Sequence, residues 1–395
     1  MKNLYQILPS PAPDYSGVSS MLFEMDILTV FIDPHGCNGQ TLHYSEPRYQ
    51  FFNHIPKSFS FSVREIDAIT GVDNLLVKKI KSALQYVPAK AIALVGAPVP
   101  MIISTDFRSL AEIVEKDTNL PTIALSTNGL STYESGQKKA LEALIDKFSG
   151  HSQSSASMPY DVHILGATPL DGWDDTAIMD YVELLKECGA NSVICWGHGG
   201  DIDAISTVDH AKLLIAVSNS GIHAARKIYE KYHIPYIIGF PVGKKNTEEF
   251  CSNVKNFFTN NVPFPENTYN KPESVPNKKS ALIIADQITG NALRDCLESE
   301  YSYDHVDVVS YFSLDENLTR ENDIHLCSED ALLNFYTMHS PYDIVIGDPV
   351  YQDLLPHECH FIPNPHPAIS GILYWNQCSN YLGIKGNDFF NYYLP

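Results

Sequence analysis

Short runs of apolar residues alternate along the chain with segments in which apolar residues recur at helical spacing. The runs are continuous, as buried parallel strands are. We therefore predict strands at residues 26–31, 91–96, 121–125, 162–166, 192–196, 212–217, 235–239, 281–286, 306–312 and 342–348. The helical periods predict helices that include residues 77–87, 140–148, 178–185, 220–232 and 291–298. Repeated β-α-β units predict an α/β fold with helices on both faces of parallel sheets.

Two segments interrupt this alternation. Residues 148–161 are rich in serine, and residues 262–280 contain four prolines and no apolar period. Such compositions are typical of linkers between domains. We therefore predict three Rossmann-like parallel-sheet domains around a central cleft, at residues 1–150, 160–262 and 278–395.

The carboxyl ends of the predicted strands indicate where ligands should bind. In open α/β sheets, ligands occupy the crevice beyond these ends. This rule selects the loops that follow Gly96, Trp196, Val217, Gly239 and Gly347.

Charge and composition narrow the classes of function and compartment. With Lys+Arg 27 against Asp+Glu 47, the net charge of −20 repels phosphate backbones and disfavours nucleic-acid binding. An acidic surface suits docking to a basic protein face, although solubility alone also explains it. No apolar run has the length of a signal peptide or a membrane span. The eight cysteines include no CxxC pair, so we expect reduced thiols and a cytoplasmic protein.

Several phrases along nearly the whole chain resemble those of one protein family. The DPHGC turn at residues 33–37 resembles the turn that supplies a cluster ligand in nitrogenase component 1 subunits. Similar segments occur at residues 69–84, 90–107, 121–144, 164–173, 211–243, 343–350 and 365–371. The chain thus resembles the nitrogenase component 1 family. Its members include dinitrogenase subunits, their cofactor-assembly scaffold, the light-independent protochlorophyllide reductases and the nickel-tetrapyrrole reductive cyclase.

The resemblance implies that Cys37 is a ligand of an iron–sulfur cluster. A neighbouring glycine lets backbone amides approach cluster sulfides, and iron clusters require thiolates; the alternative is a core thiol. Two further family cysteines are missing, because Ser62 and Ala97 lie in their places. Since one cysteine cannot hold a four-iron cluster, the resemblance implies a 4Fe–4S cluster shared at a subunit interface, or none.

The resemblance also implies what the middle domain does not bind. The family's cysteine for the iron–molybdenum cofactor is missing, and the nearest residues are Ser218, Asn219 and Ser220. We therefore expect no iron–molybdenum cofactor and no true dinitrogenase activity.

Three histidines are candidate cofactor-binding residues. His198, in the glycine-rich CWGHGGD loop, could bind a metal or donate a proton, or be an exposed residue of a turn. His223 follows SNSG at a helix start, where an anion can bind. His366 lies between two prolines, near the cofactor cavity of the family. Each has a purely structural alternative, and together they predict a cleft where the three domains meet.

The chain offers no GxxxxGK[ST] phosphate loop, because GFPVGKK at residues 239–245 has the wrong spacing. The resemblance therefore implies electrons from a separate, ATP-dependent iron–sulfur reductase. We predict a nitrogenase-like component 1 oxidoreductase subunit, paired with a homologous subunit and binding neither nucleic acid nor membrane. The alternative is a non-catalytic scaffold for a metallocofactor or tetrapyrrole, which the missing cysteines favour. A periplasmic chelate binder is disfavoured by the lack of a signal sequence.

Overall fold

The structure is a computed structural model of the chain. It describes residues 6–9, 11–34, 46–51, 57–64, 66–67, 71–150, 159–260 and 279–394. Cys37 and most of both predicted linkers lie outside the described residues.

The first sheet has the strand order β2-β1-β3-β4, and all of its pairings are parallel. Its strands are β1 (Ile27–Asp33), β2 (Ser58–Ser62), β3 (Ala91–Val95) and β4 (Thr122–Leu125). The helices of this part are α1 (Asp14–Leu22), α2 (Pro47–Phe51), α3 (Asp73–Tyr86), α4 (Pro98–Ile102), α5 (Phe107–Thr118) and α6 (Tyr133–Phe148). Three of the four strands were predicted. The missed strand, β2, is an edge strand whose SFSFS sequence contains no continuous apolar run.

The second sheet is also parallel, with the order β6-β5-β7-β8. Its strands are β5 (Val162–Leu165), β6 (Val193–Cys195), β7 (Leu213–Ala216) and β8 (Tyr236–Ile238), and all were predicted. They alternate with helices α7 (Asp175–Glu187), α8 (Ile202–Ser206), α9 (Asn219–Tyr232) and α10 (Lys244–Asn260).

The third sheet has the order β11-β10-β9-β12-β13 and parallel pairings throughout. Its strands are β9 (Lys279–Ile284), β10 (Tyr303–Ser310), β11 (Ile324–His325), β12 (Ile344–Gly347) and β13 (Phe361–Pro363). The helices are α11 (Gln287–Glu300), α12 (Glu329–His339), α13 (Pro367–Ser370) and α14 (Ile384–Tyr393). The two outer strands are too short to give a sequence signal.

These three parallel sheets confirm the predicted fold class. Their central strands are completely buried, as Leu94, Leu214 and Ile283 illustrate with 0% exposure. The strands therefore read as continuous apolar runs, which is why the sequence pattern located them. The exact domain boundaries remain a prediction, because residues 151–158 and 261–278 lie outside the described part.

Helices α1 and α6 cross at very close range. A Cβ atom at Gly17 would lie 1.9 Å from the carbonyl oxygen of Tyr133, and one at Gly136 would lie 1.7 Å from that of Asp14. Only glycine permits such an approach. The crossing fixes the first turn of α6, which carries Tyr133 and Glu134 toward the other two sheets.

The end of the chain returns to the second sheet. Val242, which precedes α10, forms bridges with Leu382 and Gly383 just before α14. Asn380 donates to Asp180 on α7, and Lys385 pairs with the same carboxylate. This segment therefore covers one side of the space between the second and third sheets. No helix in the described part of the chain is long and apolar enough to cross a membrane.

Candidate functional site

Buried polar side chains from all three sheets meet at one junction. Tyr133 and Glu134 begin α6, Asp171 ends a short 3-10 helix after β5, and Asp286 is the N-cap of α11. Each follows a strand of its own sheet, where parallel sheets place their ligand sites. His366, which follows β13, reaches the same junction.

Asp171 is the centre of the hydrogen-bonded part of this junction. Its Oδ1 accepts from the Tyr133 hydroxyl at 2.9 Å, and its Oδ2 accepts from Gln137 and Thr168 at 2.8 Å each. Burial raises the pKa of Asp171 to about 7, although these three donors act in the opposite direction. The carboxyl can therefore exchange a proton near neutral pH. Burial also raises the pKa of Tyr133 well above its ordinary value, so that hydroxyl remains a donor.

A chain of side-chain hydrogen bonds connects this carboxyl, through Gln137 of α6, to the start of α9. Ser220 donates to Oε1 of Gln137 at 2.9 Å, and the hydroxyls of Ser220 and Ser218 are also 2.9 Å apart. Ser218 is the N-cap of α9. The sequence implied that these serines replace a metal-cofactor ligand, and in the structure they form buried hydrogen bonds between the first two sheets.

His366 and Asp286 face each other on the other side of the junction. Nε2 of His366 lies 3.8 Å from Oδ2 of Asp286, and neither atom has a hydrogen-bond partner among the described residues. Nδ1 of His366 accepts from the backbone N–H of Ala368 at 3.3 Å. Burial lowers the pKa of His366, which favours the neutral ring. With Nδ1 as the acceptor, the proton of that ring lies on Nε2.

This tautomer determines what His366 can do. A neutral Nε2–H group donates a hydrogen bond, and this nitrogen could bind a metal only in the other tautomer. Asp348 fixes the residue by accepting from the backbone N–H of His366 and from the hydroxyl of Ser370, both at 2.7 Å. The geometry thus supports a neutral hydrogen-bond donor at Nε2.

A cleft between the second and third sheets opens onto these groups. Its cavity volume is about 40 Å³, and the whole depression encloses about 510 Å³ when the part that is open to solvent is counted. Asp171, Asp286 and His366 lie on its inner wall, and its sides are formed by Trp173, Phe240, Asn364, Cys378 and Tyr381. Burial raises the pKa of Cys378 to about 12, so the free side chain is a neutral thiol. The cleft combines apolar walls with a small set of convergent polar groups, as small-molecule sites do.

Glu134 faces a second cleft, which the first turns of α6 and α9 line. Its carboxylate accepts from the backbone N–H of Ser313 at 2.9 Å and from Asn219 at 3.4 Å. Burial raises the pKa of Glu134 to about 7. His223 and Arg226 on α9 line the same cleft.

The three histidine candidates do not share one cleft. His366 lines the first cleft and His223 the second. His223 pairs through Nε2 with Glu142 of α6, so this ring joins two helices. The anion beside His223 is thus the side chain of Glu142 on the neighbouring helix. His198 lies elsewhere, where α7 approaches the loop after β6.

His198 differs from the exposed turn residue that was its structural alternative. The next residue, Gly199, does have a positive φ of 67°, but the His198 residue is only 8% exposed. Its Nδ1 lies 3.1 Å from Oδ1 of Asp175. Glu24, which follows α1, completes a group of three possible metal ligands whose atoms all lie within 4.8 Å of one another.

The described residues of the first sheet do not fit an iron–sulfur cluster. Ser62 ends β2 and Ala97 follows β3, so neither position supplies a thiolate. The described cysteines all lie in the parts of the chain that form the second and third sheets and their helices and loops, at Cys188, Cys195, Cys251, Cys296, Cys327, Cys359 and Cys378. Cys37, the candidate ligand, lies outside the described residues.

Sequence reasoning missed several residues of the junction. Asp171 and Asp286 follow strands β5 and β9. Both strands were predicted from the sequence, but the loops that follow them were not among the predicted ligand-binding loops. The strand-end rule, applied to every predicted strand, selects both. Tyr133 and Gln137 carry no comparable signal, because their role depends on how α6 packs against the other sheets.

Comparison with known sequences identifies the family. Residues 14–287 match the family described as nitrogenase component 1 type oxidoreductase. The chain is 26% identical over 196 residues to the nitrogenase iron-molybdenum cofactor biosynthesis protein NifE of Bradyrhizobium diazoefficiens, covering 49% of this chain and 35% of that protein. It is 24% identical over 221 residues to the nitrogenase molybdenum-iron protein alpha chain of Methanosarcina barkeri, covering 55% and 40%. The matches therefore span less than half the length of these relatives.

Solved structures agree in fold. Nitrogenase Cp1 at pH 6.5 matches with a TM-score of 0.73 and 11% identity, over 100% of this chain and 94% of that chain. Nitrogenase Cp1 at pH 5 matches with a TM-score of 0.69 and 16% identity, over 100% and 90%. The sequence match and the three-sheet architecture thus agree, and the chain belongs to the nitrogenase component 1 family of oxidoreductases.

Proposed function

We propose that this chain is a component 1-type oxidoreductase subunit, other than a dinitrogenase, that receives electrons from a separate ATP-dependent iron–sulfur reductase. The observation that carries the proposal is the convergence of Asp171, His366 and Asp286 on one cleft. Reductions of organic substrates consume protons together with electrons, so a reductase site needs proton donors beside its substrate. Asp171 can supply a proton, and the neutral His366 N–H can donate a hydrogen bond to the substrate.

The donors have complementary properties. Asp171, with a pKa of about 7, is poised to give or take a proton at neutral pH, which is where general acid–base catalysis is most efficient. His366 presents a neutral N–H from a ring that Asp348 and the Ala368 amide hold in place. Asp286 faces that N–H at 3.8 Å, a separation suited to a bridging water or a substrate atom.

The walls of the cleft define the kind of substrate. Trp173 and Phe240 pack edge to face, with ring centroids 4.9 Å apart. The Tyr381 hydroxyl donates to Oδ1 of Asn364 at 2.6 Å, which holds the Tyr381 ring in the wall of the cleft. We propose an organic substrate with an apolar face that packs on these rings and a hydrogen-bond acceptor directed at His366.

The proposal includes a partner subunit. Cys37 supplies one thiolate, whereas a 4Fe–4S cluster requires four ligands. We propose that Cys37 joins a cluster shared at the interface with a homologous component 1 subunit, in a homo- or heterodimer. The reductase is then a third protein, with its own phosphate loop.

A scaffold function is the second candidate. It is favoured by the described part of the first sheet, where Ser62 and Ala97 stand at the positions of family cysteines. NifE, one of the relatives, is named as a cofactor biosynthesis protein. In this function the same cleft holds a metallocofactor or tetrapyrrole without reducing it.

Anaerobic co-purification with native partner proteins separates the two functions. The complex is analysed for iron, sulfide and any bound chromophore, and is then mixed with the cognate reductase. A bound group that becomes reduced only with reductase and Mg-ATP supports the oxidoreductase. Tight retention of a group that the reductase never reduces supports the scaffold.

A further inference from the structure

Glu24, Asp175 and His198 form a compact group outside both clefts. They come from three separate elements: the segment after α1, the first turn of α7 and the loop after β6. Each offers one ligand atom, and these atoms all lie within 4.8 Å of one another. Imidazole nitrogen and carboxylate oxygen are the usual ligands of Zn²⁺ when no thiolate is present.

The imidazole of His198 has unused coordinating capacity. Its side chain is 4% exposed, and Nδ1 lies 3.1 Å from the Asp175 carboxylate. Nε2 is buried and has no hydrogen-bond partner in the described part of the chain. When the proton of the neutral ring lies on Nε2, the Nδ1 lone pair is left free to coordinate. Nδ1 and Oδ1 of Asp175, 3.1 Å apart, can then bind one cation together.

The surrounding charges also favour a divalent cation. Arg48 is buried and pairs with Glu46 at 2.8 Å and with Glu24 at 3.4 Å. The ionised groups of the cluster are then one cation and three anions, Glu24, Glu46 and Asp175, which leaves 1 − 3 = −2. Glu24 also accepts from the backbone N–H of Gly199 at 2.7 Å, which orients it toward the His198 loop.

We propose that Glu24, Asp175 and His198 bind a Zn²⁺-type divalent cation that joins the first sheet's α1 segment to the second sheet. A water molecule completes the coordination, since the Asp175 side chain is 43% exposed and leaves one side of the group open. The site is separate from the junction of the three sheets, so it does not depend on the proposed electron-transfer function.

The test is titration of the chelator-treated full-length protein with Zn²⁺, by calorimetry, and with Co²⁺, by visible absorption. Tetrahedral Co²⁺ bound by nitrogen and oxygen gives visible bands without the near-ultraviolet thiolate band of a cysteine site. The variants are His198→Gln, Asp175→Asn and Glu24→Gln. The control is His210→Gln, because His210 is exposed and lies 3.9 Å from the single carboxylate of Asp209.

We expect each site variant to weaken Zn²⁺ binding by roughly 10- to 100-fold, and the control to bind like the wild type. Zn²⁺ should also raise the melting temperature of the wild type and the control, because it binds the folded chain. The proposal is overturned if the wild type binds no Zn²⁺, if the three site variants bind as tightly as the wild type, or if the Co²⁺ spectrum is that of a thiolate site.

Discussion

Nε2 of His366 and Oδ2 of Asp286 lie 3.8 Å apart at the junction of the three sheets, and neither has a hydrogen-bond partner among the described residues. This separation is too long for a direct hydrogen bond. Both residues are otherwise held firmly, Asp286 by the backbone N–H groups of Ile288 and Thr289, and His366 by Asp348. The gap is therefore built into the backbone, and the first cleft opens onto it.

His366→Asn tests the hydrogen-bond donor directly. Asparagine retains an oxygen that can accept the Ala368 N–H as a helix N-cap, but it removes Nε2. We expect the rate of substrate reduction to fall by roughly 10²- to 10³-fold, the usual effect of removing one hydrogen bond to a developing charge, with little change in melting temperature.

His233→Asn is the control for this variant. His233 is exposed, and its backbone has a left-handed conformation, with a φ of 59° that asparagine tolerates. Its activity should equal that of the wild type. Wild-type activity in His366→Asn would exclude His366 as a hydrogen-bond donor to the substrate.

Asp171→Asn tests the raised pKa of the central carboxyl. Because the pKa rises from 3.8 unfolded to about 7 folded, the folded state binds more protons between these values, and stability is lost as pH rises through 7. Removing this titration should increase the stability of the variant relative to the wild type by roughly 2–3 kcal/mol between pH 5 and pH 8. Urea unfolding at a series of pH values measures the difference.

The pH dependence of the unfolding free energy must be compared between the wild type and the variants, because the wild-type curve contains contributions from other groups. Burial lowers the pKa of His163 to about 3, so this group contributes a slope of the opposite sign, with stability lost as pH falls below 6.5. Asp353 is exposed, and the curve of stability against pH for Asp353→Asn should run parallel to that of the wild type. A parallel curve for Asp171→Asn as well would show that Asp171 is ionised across this range.

Cys37→Ala tests the shared cluster. The subunit expressed alone should hold little or no iron, since one cysteine cannot supply four ligands. In the assembly with its partner subunit, Cys37→Ala should remove or destabilise the cluster. Cys188→Ala is the control, because Cys188 is a buried residue at the end of α7. Equal iron loss in both variants, measured by iron and sulfide analysis, would refute the role of Cys37.

The sequence predicted the sheets better than the site, for a physical reason. A buried parallel strand such as β3 needs apolar residues at every position, and this local pattern is visible in the chain. The junction depends instead on contacts between distant segments. Asp171 receives donors from Tyr133 and Gln137 of another sheet, and His198 is buried by its meeting with Asp175 and Glu24. The spacing of residues along the chain does not predict these contacts.

Electron transfer from a separate ATPase is the central claim, and one measurement tests it most directly. The cognate iron–sulfur reductase is reduced, freed of excess dithionite and mixed anaerobically with the subunit assembly, and oxidation of its cluster is followed by absorbance with and without Mg-ATP. We predict oxidation only with ATP, at a rate that falls with added salt because the acidic chain, with its net charge of −20, docks to a basic face. Failure of the reductase to transfer electrons under any of these conditions, while the assembly still binds its cofactor tightly, would contradict the account and leave the scaffold function.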